Sequence, residues 1–130
     1  MSQTYFGIEI PFIEKMAMDV EKISEDLVHM HLDLQPWQCN SFGVAHGGVM
    51  MTLLDFAMAM AAKVKHGHLG GAMTIDMSTS FIKGGKGKMV VHGTVLKAGK
   101  SIQFCEASAY DASGDLLAKS MGTFKLVEFR

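Results

Sequence analysis

The sequence predicts an α+β fold in which an antiparallel β-sheet wraps around one long central α-helix. Three observations carry this reading. Val49–Ala62 is a run free of Pro and Gly and apolar or small on nearly every face, which describes a buried helix. Downstream of it no helical periodicity remains, and segments of β character alternate with short turns. Upstream, Asp26–Leu34 alternates cleanly, as a half-buried strand does. A sheet with one apolar face must cover that face, and the sole apolar helix is the candidate cover.

The elements follow in order. Pro11–Met16 reads as a short helix with Pro at an early position. Met18–Ile23 is the hairpin partner of Asp26–Leu34. In the latter, Val28, Met30, Leu32 and Leu34 share one face, and His29, His31 and Asp33 the other. Gln35–Ala45 holds Pro36, Asn40, Ser41 and Gly43 and reads as a loop. The long helix runs from about His46 to Lys65 and ends at His66-Gly67-His68-Leu69-Gly70-Gly71, where the histidines suit the helix dipole. Met73, Ile75, Met77, Thr79 and Phe81 then alternate with Thr74, Asp76, Ser78 and Ser80. Lys83–Gly87 is a turn, Met89–Leu96 a strand, Lys97–Lys100 a second turn, Ser101–Tyr110 a strand, Asp111–Asp115 a third turn and Leu116–Val127 the last strand. Strands joined by short turns are antiparallel, so the second half is expected to be a four-stranded meander.

The totals set bounds. A chain of 130 residues fits a single domain, 1–130, with a real core. With 48% hydrophobic and 19% charged residues, disorder is excluded. A formal charge of −1 argues against nucleic acid as a partner. Cys39 and Cys105 have neither metal spacing nor the makings of a disulfide framework, which points to a reducing, cytoplasmic setting. The N-terminus lacks the basic-then-apolar pattern of a secretory signal. The apolar run spans 14 residues, whereas a membrane crossing needs about 20, so it reads as a core helix and no membrane is expected.

Asp55 is the one carboxylate in that run. Acidic groups are seldom buried without a partner, so it needs a reason to be there. Directly upstream stands His46-Gly47-Gly48. Glycine allows close approach to the backbone, and the first N–H groups of a helix are unpaired and partly positive. Such a place can hold an anion or a developing oxyanion; equally, the glycines can simply relieve a tight loop–helix junction. Asp55 could likewise serve as a structural hydrogen bonder or an interface contact. The glycine pair beside it favours a catalytic role. Gly47 and Asp55 are eight residues apart, about 12 Å along a helix. A base must lie within hydrogen-bond reach of its target or one water away, so one helix does not bring both groups to one carbonyl. Two antiparallel copies about a two-fold axis do, and two-fold dimers are the commonest homo-oligomers.

Asn40-Ser41-Phe42-Gly43-Val44-Ala45-His46-Gly47-Gly48, continuing to Asp55, resembles the signature of hotdog-fold acyl-CoA thioesterases. The nearest branch is the phenylacetic-acid-pathway and four-hydroxybenzoyl type. The resemblance implies a hotdog fold and hydrolysis of an acyl- or aryl-CoA thioester. It assigns Asp55 as general base or nucleophile, and the Gly47 backbone N–H as donor to the carbonyl oxygen. Asn40 and His46 would orient the substrate or its sulfur, and Thr74 would help to hold the water. CoA is implied across Lys97, Gly99, Lys100, Ser101 and Ile102, with Asp76, Phe81 and Lys125 at weaker matched positions. A cationic turn suits phosphate, although Lys97 and Lys100 also read as ordinary solvated charge. The chain departs from the family at Ile82–Gly87, where many members carry proline; its lysines are candidates for phosphate contacts. Met50, Met51, Leu54 and Met58 are candidates for the acyl pocket. A dimer, paired again into a tetramer, is the implied assembly.

The remaining features are set aside. His29 and His31 are spaced like metal ligands but have no third ligand nearby in the sequence, so no metal is expected. No cofactor beyond the CoA of the substrate is expected. Cys105 reads as core, and Cys39 lacks a clear base. The 12 methionines read as core filling. Two rivals remain: a non-catalytic acyl-CoA binding protein on the same fold, and a hotdog dehydratase or hydratase.

Overall fold

The computed structural model describes residues 4–25, 27–67 and 70–128. Asp26, His68 and Leu69, which the sequence reading placed at element ends, lie outside the described residues. The chain opens with a two-stranded ribbon, β1 (Thr4–Tyr5) and β2 (Ile8–Glu9), which the alternation did not signal. Helix α1 (Pro11–Met16) follows with Pro at its start and buries Ile13 and Met16. Strands β3 (Asp19–Ser24) and β4 (Leu27–Asp33) form the expected hairpin. On β4, Val28, Met30 and Leu32 are buried while His29 and His31 lie on the opposite face. A short 3-10 turn, Pro36–Gln38, sits inside the predicted loop.

Helix α2 spans Gly47–His66. Its 20 residues are long and apolar enough to cross a membrane, so the length argument from the sequence does not hold. What makes it a core helix is its packing: Leu53, Leu54, Ala57, Met58, Ala61 and Ala62 are buried against the sheet. The helix is closed by Gly67 in the left-handed conformation (φ 57°), whose N–H reaches the carbonyls of Lys63 and Val64.

Strands β5 (Gly71–Phe81), β6 (Lys88–Ala98), β7 (Ile102–Asp111) and β8 (Leu116–Val127) complete the antiparallel sheet. Its order is β3-β4-β6-β7-β8-β5, so the expected four-stranded meander is corrected. Only β6, β7 and β8 meander; β5 pairs with β8, and β6 pairs with β4. Residues 82–87 are therefore a crossover rather than a hairpin turn. Ile82 and Lys83 donate to the Leu117 carbonyl at 2.8 and 3.1 Å, and Ala45 donates to Gly85 O at 2.9 Å. Leu34 donates to Gly87 O at 2.8 Å, which delivers the chain to the β4 side. The physical reason is that alternation fixes a strand's faces but not its neighbour: the crossover's bonds to Leu117, Ala45 and Leu34 carry the chain across the sheet, so β5 takes the free edge beside β8. The result is the hotdog arrangement, a six-stranded sheet wrapped around α2.

Candidate active site

Asp55 projects from the middle of α2, half-buried, toward the edge strand β5. Thr74 of β5 donates its hydroxyl to Asp55 Oδ1 at 2.5 Å, a charge-assisted bond. Burial pushes the Asp55 carboxyl above the usual carboxylate range, and the Thr74 hydroxyl partly offsets this. The group is thus more basic than an exposed aspartate while keeping a fixed orientation. A cavity of about 450 Å³ opens beside it. One wall is α2, with Thr52, Phe56 and Met60; the other is the N-terminal segment, with Ile8, Ile10 and Phe12. Sequence reasoning missed that second wall, because two-residue strands carry no periodicity. Of the expected acyl-pocket residues, Leu54 and Met58 are fully buried in the core, whereas Met50 lines the cavity described next.

That second cavity, of about 360 Å³, lies at the start of α2. Gly47 is the first helical residue, and its N–H has no acceptor among the described residues. The neighbouring Gly48 N–H is taken by Nδ1 of His46, the N-cap, at 2.8 Å. Because Nδ1 accepts, the neutral ring carries its proton on Nε2, which leaves an outward donor. Phe81, at the end of β5, covers Gly47: a Cβ there would meet its ring at 3.8 Å. Asn40 Oδ1 accepts from the Phe42 and Val44 N–H groups at 2.9 and 3.3 Å. This folds the loop ahead of the helix and leaves the Asn40 amide nitrogen as its free donor end.

Within one chain, then, Thr74 meets Asp55 in one place, while Asn40, Gly47 and Phe81 line another beside His46, and Asp55 and Gly47 open into different cavities. The other expected CoA residues divide too. Lys97, Gly99, Lys100, Ser101, Ile102 and Lys125 gather at the far end of the sheet, where Ile102 pairs with Lys125 and Leu126 donates to Ser101 O. His66, at the other end of α2, bonds Gln103 in the same region at 2.8 Å. Phe81 lies about 30 Å away along β5. Asp76 sits mid-strand beside Met77 and Met121, in a groove of the sheet.

Lys83, a candidate phosphate contact, is held by Asp111 and Asp115 at 2.9 and 2.6 Å. These partners raise the Lys83 pKa, and Lys83 in turn lowers that of Asp111. The lysine therefore staples the crossover to the β7–β8 turn. Burial pushes the Cys105 thiol up to about 12, so it supplies no thiolate. Cys39 is part-buried and donates weakly to Gln35 O at 3.7 Å.

Comparison with known proteins supplies the family. The Thioesterase superfamily matches residues 42–118, which include Gly47, Asp55 and Thr74 and leave out Asn40 and Lys125. A Thermoplasma acidophilum protein named as an esterase is 26% identical over 114 residues, covering 87% of this chain and 86% of its own. The conserved protein PA5202 of Pseudomonas aeruginosa superimposes with a TM-score of 0.86 at 25% identity, over 94% of this chain and 97% of its own. A Streptococcus mutans protein solved bound to acetyl CoA superimposes with a TM-score of 0.78 at 21% identity, over 87% and 90% of the two chains. The family match spans more than half of the sequence and falls on the helix and strands that carry both cavities, so the chain belongs to the thioesterase superfamily, a family of hydrolases.

Proposed function

We propose that this protein hydrolyses an acyl- or aryl-CoA thioester to the free acid and CoA at a site shared by two copies of the chain. The observation that carries the reading is the Thr74–Asp55 pair beside an open cavity, an oriented carboxylate made more basic by burial. Asp55 of one copy takes a proton from water as the water oxygen attacks the thioester carbonyl. The carbonyl oxygen becomes an oxyanion facing the Gly47 N–H of the other copy, where the helix N-terminus stabilises it. The C–S bond then breaks, and the CoA thiolate takes the proton that Asp55 holds. In the direct route Asp55 itself attacks the carbonyl and the C–S bond breaks to release CoA thiolate; water then cleaves the mixed anhydride to the free acid and Asp55, and the proton released goes to the thiolate. Asn40 and His46 offer donors toward the substrate, and the cationic turn Lys97–Lys100 suits the CoA phosphates.

Two facts support the shared site. Asp55 and Gly47 open into separate cavities of one chain. Strand β5 has β8 on one side only, and it exposes Met73, Ile75 and Phe81 by 60%, 55% and 57%. An open edge with apolar side chains is a surface that a second copy covers well. A dimer, paired again into a tetramer, is the assembly proposed. The acetyl CoA carried by the Streptococcus mutans relative supports a CoA ester as substrate. The branch resemblance of the Asn40–Asp55 motif brings aryl-CoA esters into the same set.

The test is a panel of acyl-CoA and aryl-CoA esters scored for thiol release, with light scattering on the same sample. Turnover of at least one ester by a dimer or tetramer, abolished in Asp55→Asn, is the expected result. Saturable binding of esters with no thiol release would favour the non-catalytic rival, and a monomer with full turnover would rule out the shared site.

A further inference from the structure

The face of the sheet turned away from α2 carries a second cluster of reactive side chains. Val28, Met30 and Leu32 of β4 point into the core, so His29 and His31 point outward. In register beside them, Glu21 of β3 pairs with His29 across one strand boundary, and His92 of β6 pairs with it across the other. The sequence left His29 and His31 without a third ligand; the sheet supplies Glu21 from β3, and His92 of β6 adjoins. Donor atoms of Glu21, His29 and His31 all lie within 4.8 Å of one another. The rings of His29 and His31 have centroids 4.4 Å apart, and those of His29 and His92 are 4.5 Å apart. Tyr110 closes the far side, 5.8 Å from His92.

This arrangement is a poor one for a solvated polar surface. Nδ1 of His31 is shut off from water and has no hydrogen-bond partner among the described residues, an arrangement that ordinarily costs free energy. Imidazole nitrogens with one carboxylate suit zinc and its transition-metal neighbours, whereas magnesium and calcium demand oxygen donors. Two histidines at i and i+2 on one strand face the same way, and a ligand from the adjacent strand completes a facial set. Zinc bonds of roughly 2.0–2.1 Å place tetrahedral donors about 3.4 Å apart. Rotamer changes in the exposed Glu21 and the part-exposed histidines cover the difference.

We propose that Glu21, His29 and His31, with His92 adjoining, bind one divalent transition-metal ion of the zinc class on the outer face of the sheet. The ion would tie the edge strand β3 to β4 and β6. Strand β3 is the sheet's edge strand and pairs with β4, with a register break between Lys22 and Ser24. The site lies across the sheet from α2 and toward the opposite edge from Thr74, so it is independent of the hydrolytic reading.

The test uses tag-free protein stripped with a chelator and titrated with zinc, and with cobalt as a spectroscopic probe. One zinc per chain is expected, with an unfolding temperature that rises with free zinc and slower hydrogen exchange in β3. Cobalt should show the intense visible bands of a four- or five-coordinate site. The double variant His29→Ala/His31→Ala should lose this uptake, while His66→Ala, elsewhere on the chain, should keep it. Glu21→Gln, at an exposed edge position, should leave the fold intact and weaken zinc by roughly tenfold or more. Thiol release should be unchanged in the double variant and in Glu21→Gln. Equal zinc affinity in the wild type, Glu21→Gln and the double variant would overturn the proposal, as would weak cobalt bands of the octahedral aqua type.

Discussion

Replacing Gly47 by proline removes the N–H from the proposed site and puts a ring carbon in its place. Gly47 is the first residue of α2, where proline is well tolerated because its φ is already helical. The preceding His46 has φ −59° and ψ 139°, the extended region that a residue before proline requires. The Gly47 N–H has no partner among the described residues, so no internal bond is lost. A Cβ at this position would meet the Phe81 ring at 3.8 Å, an ordinary contact. The fold should therefore tolerate Gly47→Pro, with a gain of about 0.4–1 kcal/mol from the stiffer unfolded chain. Activity should respond very differently. Removing one oxyanion donor costs roughly 100- to 1,000-fold in kcat, about 2.7–4 kcal/mol. Gly47→Ala keeps the N–H and adds a similar Cβ, so it should retain most of the turnover. Urea unfolding and thiol release measured on the same preparations check both halves. If Gly47→Pro is as stable as the wild type and turns over within about threefold of Gly47→Ala, the Gly47 N–H is not the donor. If Gly47→Pro is destabilised by more than about 2 kcal/mol, the description of the helix start is wrong.

Three further outcomes are expected. Asp55→Asn should lower turnover by roughly 100- to 10,000-fold. Because the folded-state pKa of Asp55 is raised, the wild type binds its proton more tightly when folded. Its stability relative to Asp55→Asn should thus be greatest in acid and fall as pH rises through the folded pKa, and thermal unfolding across pH reads this; a gap of the opposite slope would contradict the burial of the charge. Thr74→Val should cost about 1.5–3 kcal/mol in kcat/KM by removing a hydrogen bond to a charged group, and should move the acid limb of the pH profile upward, while Thr74→Ser should restore both. Gly93→Ala on β6 would press a Cβ into the Ala57 carbonyl of α2, so the helix must shift; a loss of roughly 1–3 kcal/mol in urea unfolding is expected, and no loss would refute that close approach.

The legible and illegible parts of this molecule separate along physical lines. The all-round apolar character of Val49–Ala62 marks a buried helix and the alternation of Asp26–Leu34 reports its buried face, and both elements stand where they were expected; the alternation of Met73–Phe81 located a strand, but its apolar Met73, Ile75 and Phe81 are exposed in the single chain. Alternation specifies a face but not a neighbour, so the pairing of β5 with β8 was hidden, and the Ile82–Gly87 crossover looked like a turn. The helical spacing of Gly47 and Asp55 was readable because α2 is a rigid rod. The Thr74–Asp55 bond was anticipated only through the family resemblance, since 19 residues separate the partners. The ion pairs of Lys83 and the third ligand beside His29 arise from strands brought together by the fold, with no signal along the chain. The N-terminal wall of the Asp55 cavity left no pattern because its strands are two residues long.

Helix α2 carries Gly47 at its first position and Asp55 eight residues later, and this makes it a ruler as well as a core element. One residue inserted between them would turn Asp55 by about 100° around the axis and advance it by about 1.5 Å. The carboxylate would leave Thr74 and point toward the side occupied by Leu54 or Phe56, both of which are buried. Loops elsewhere, such as Asn40–Val44 or Asp111–Asp115, can change length while their ends stay anchored. The stretch from Gly47 to Asp55 cannot, and a change of length there trades a hydrolytic site for a charge in the core.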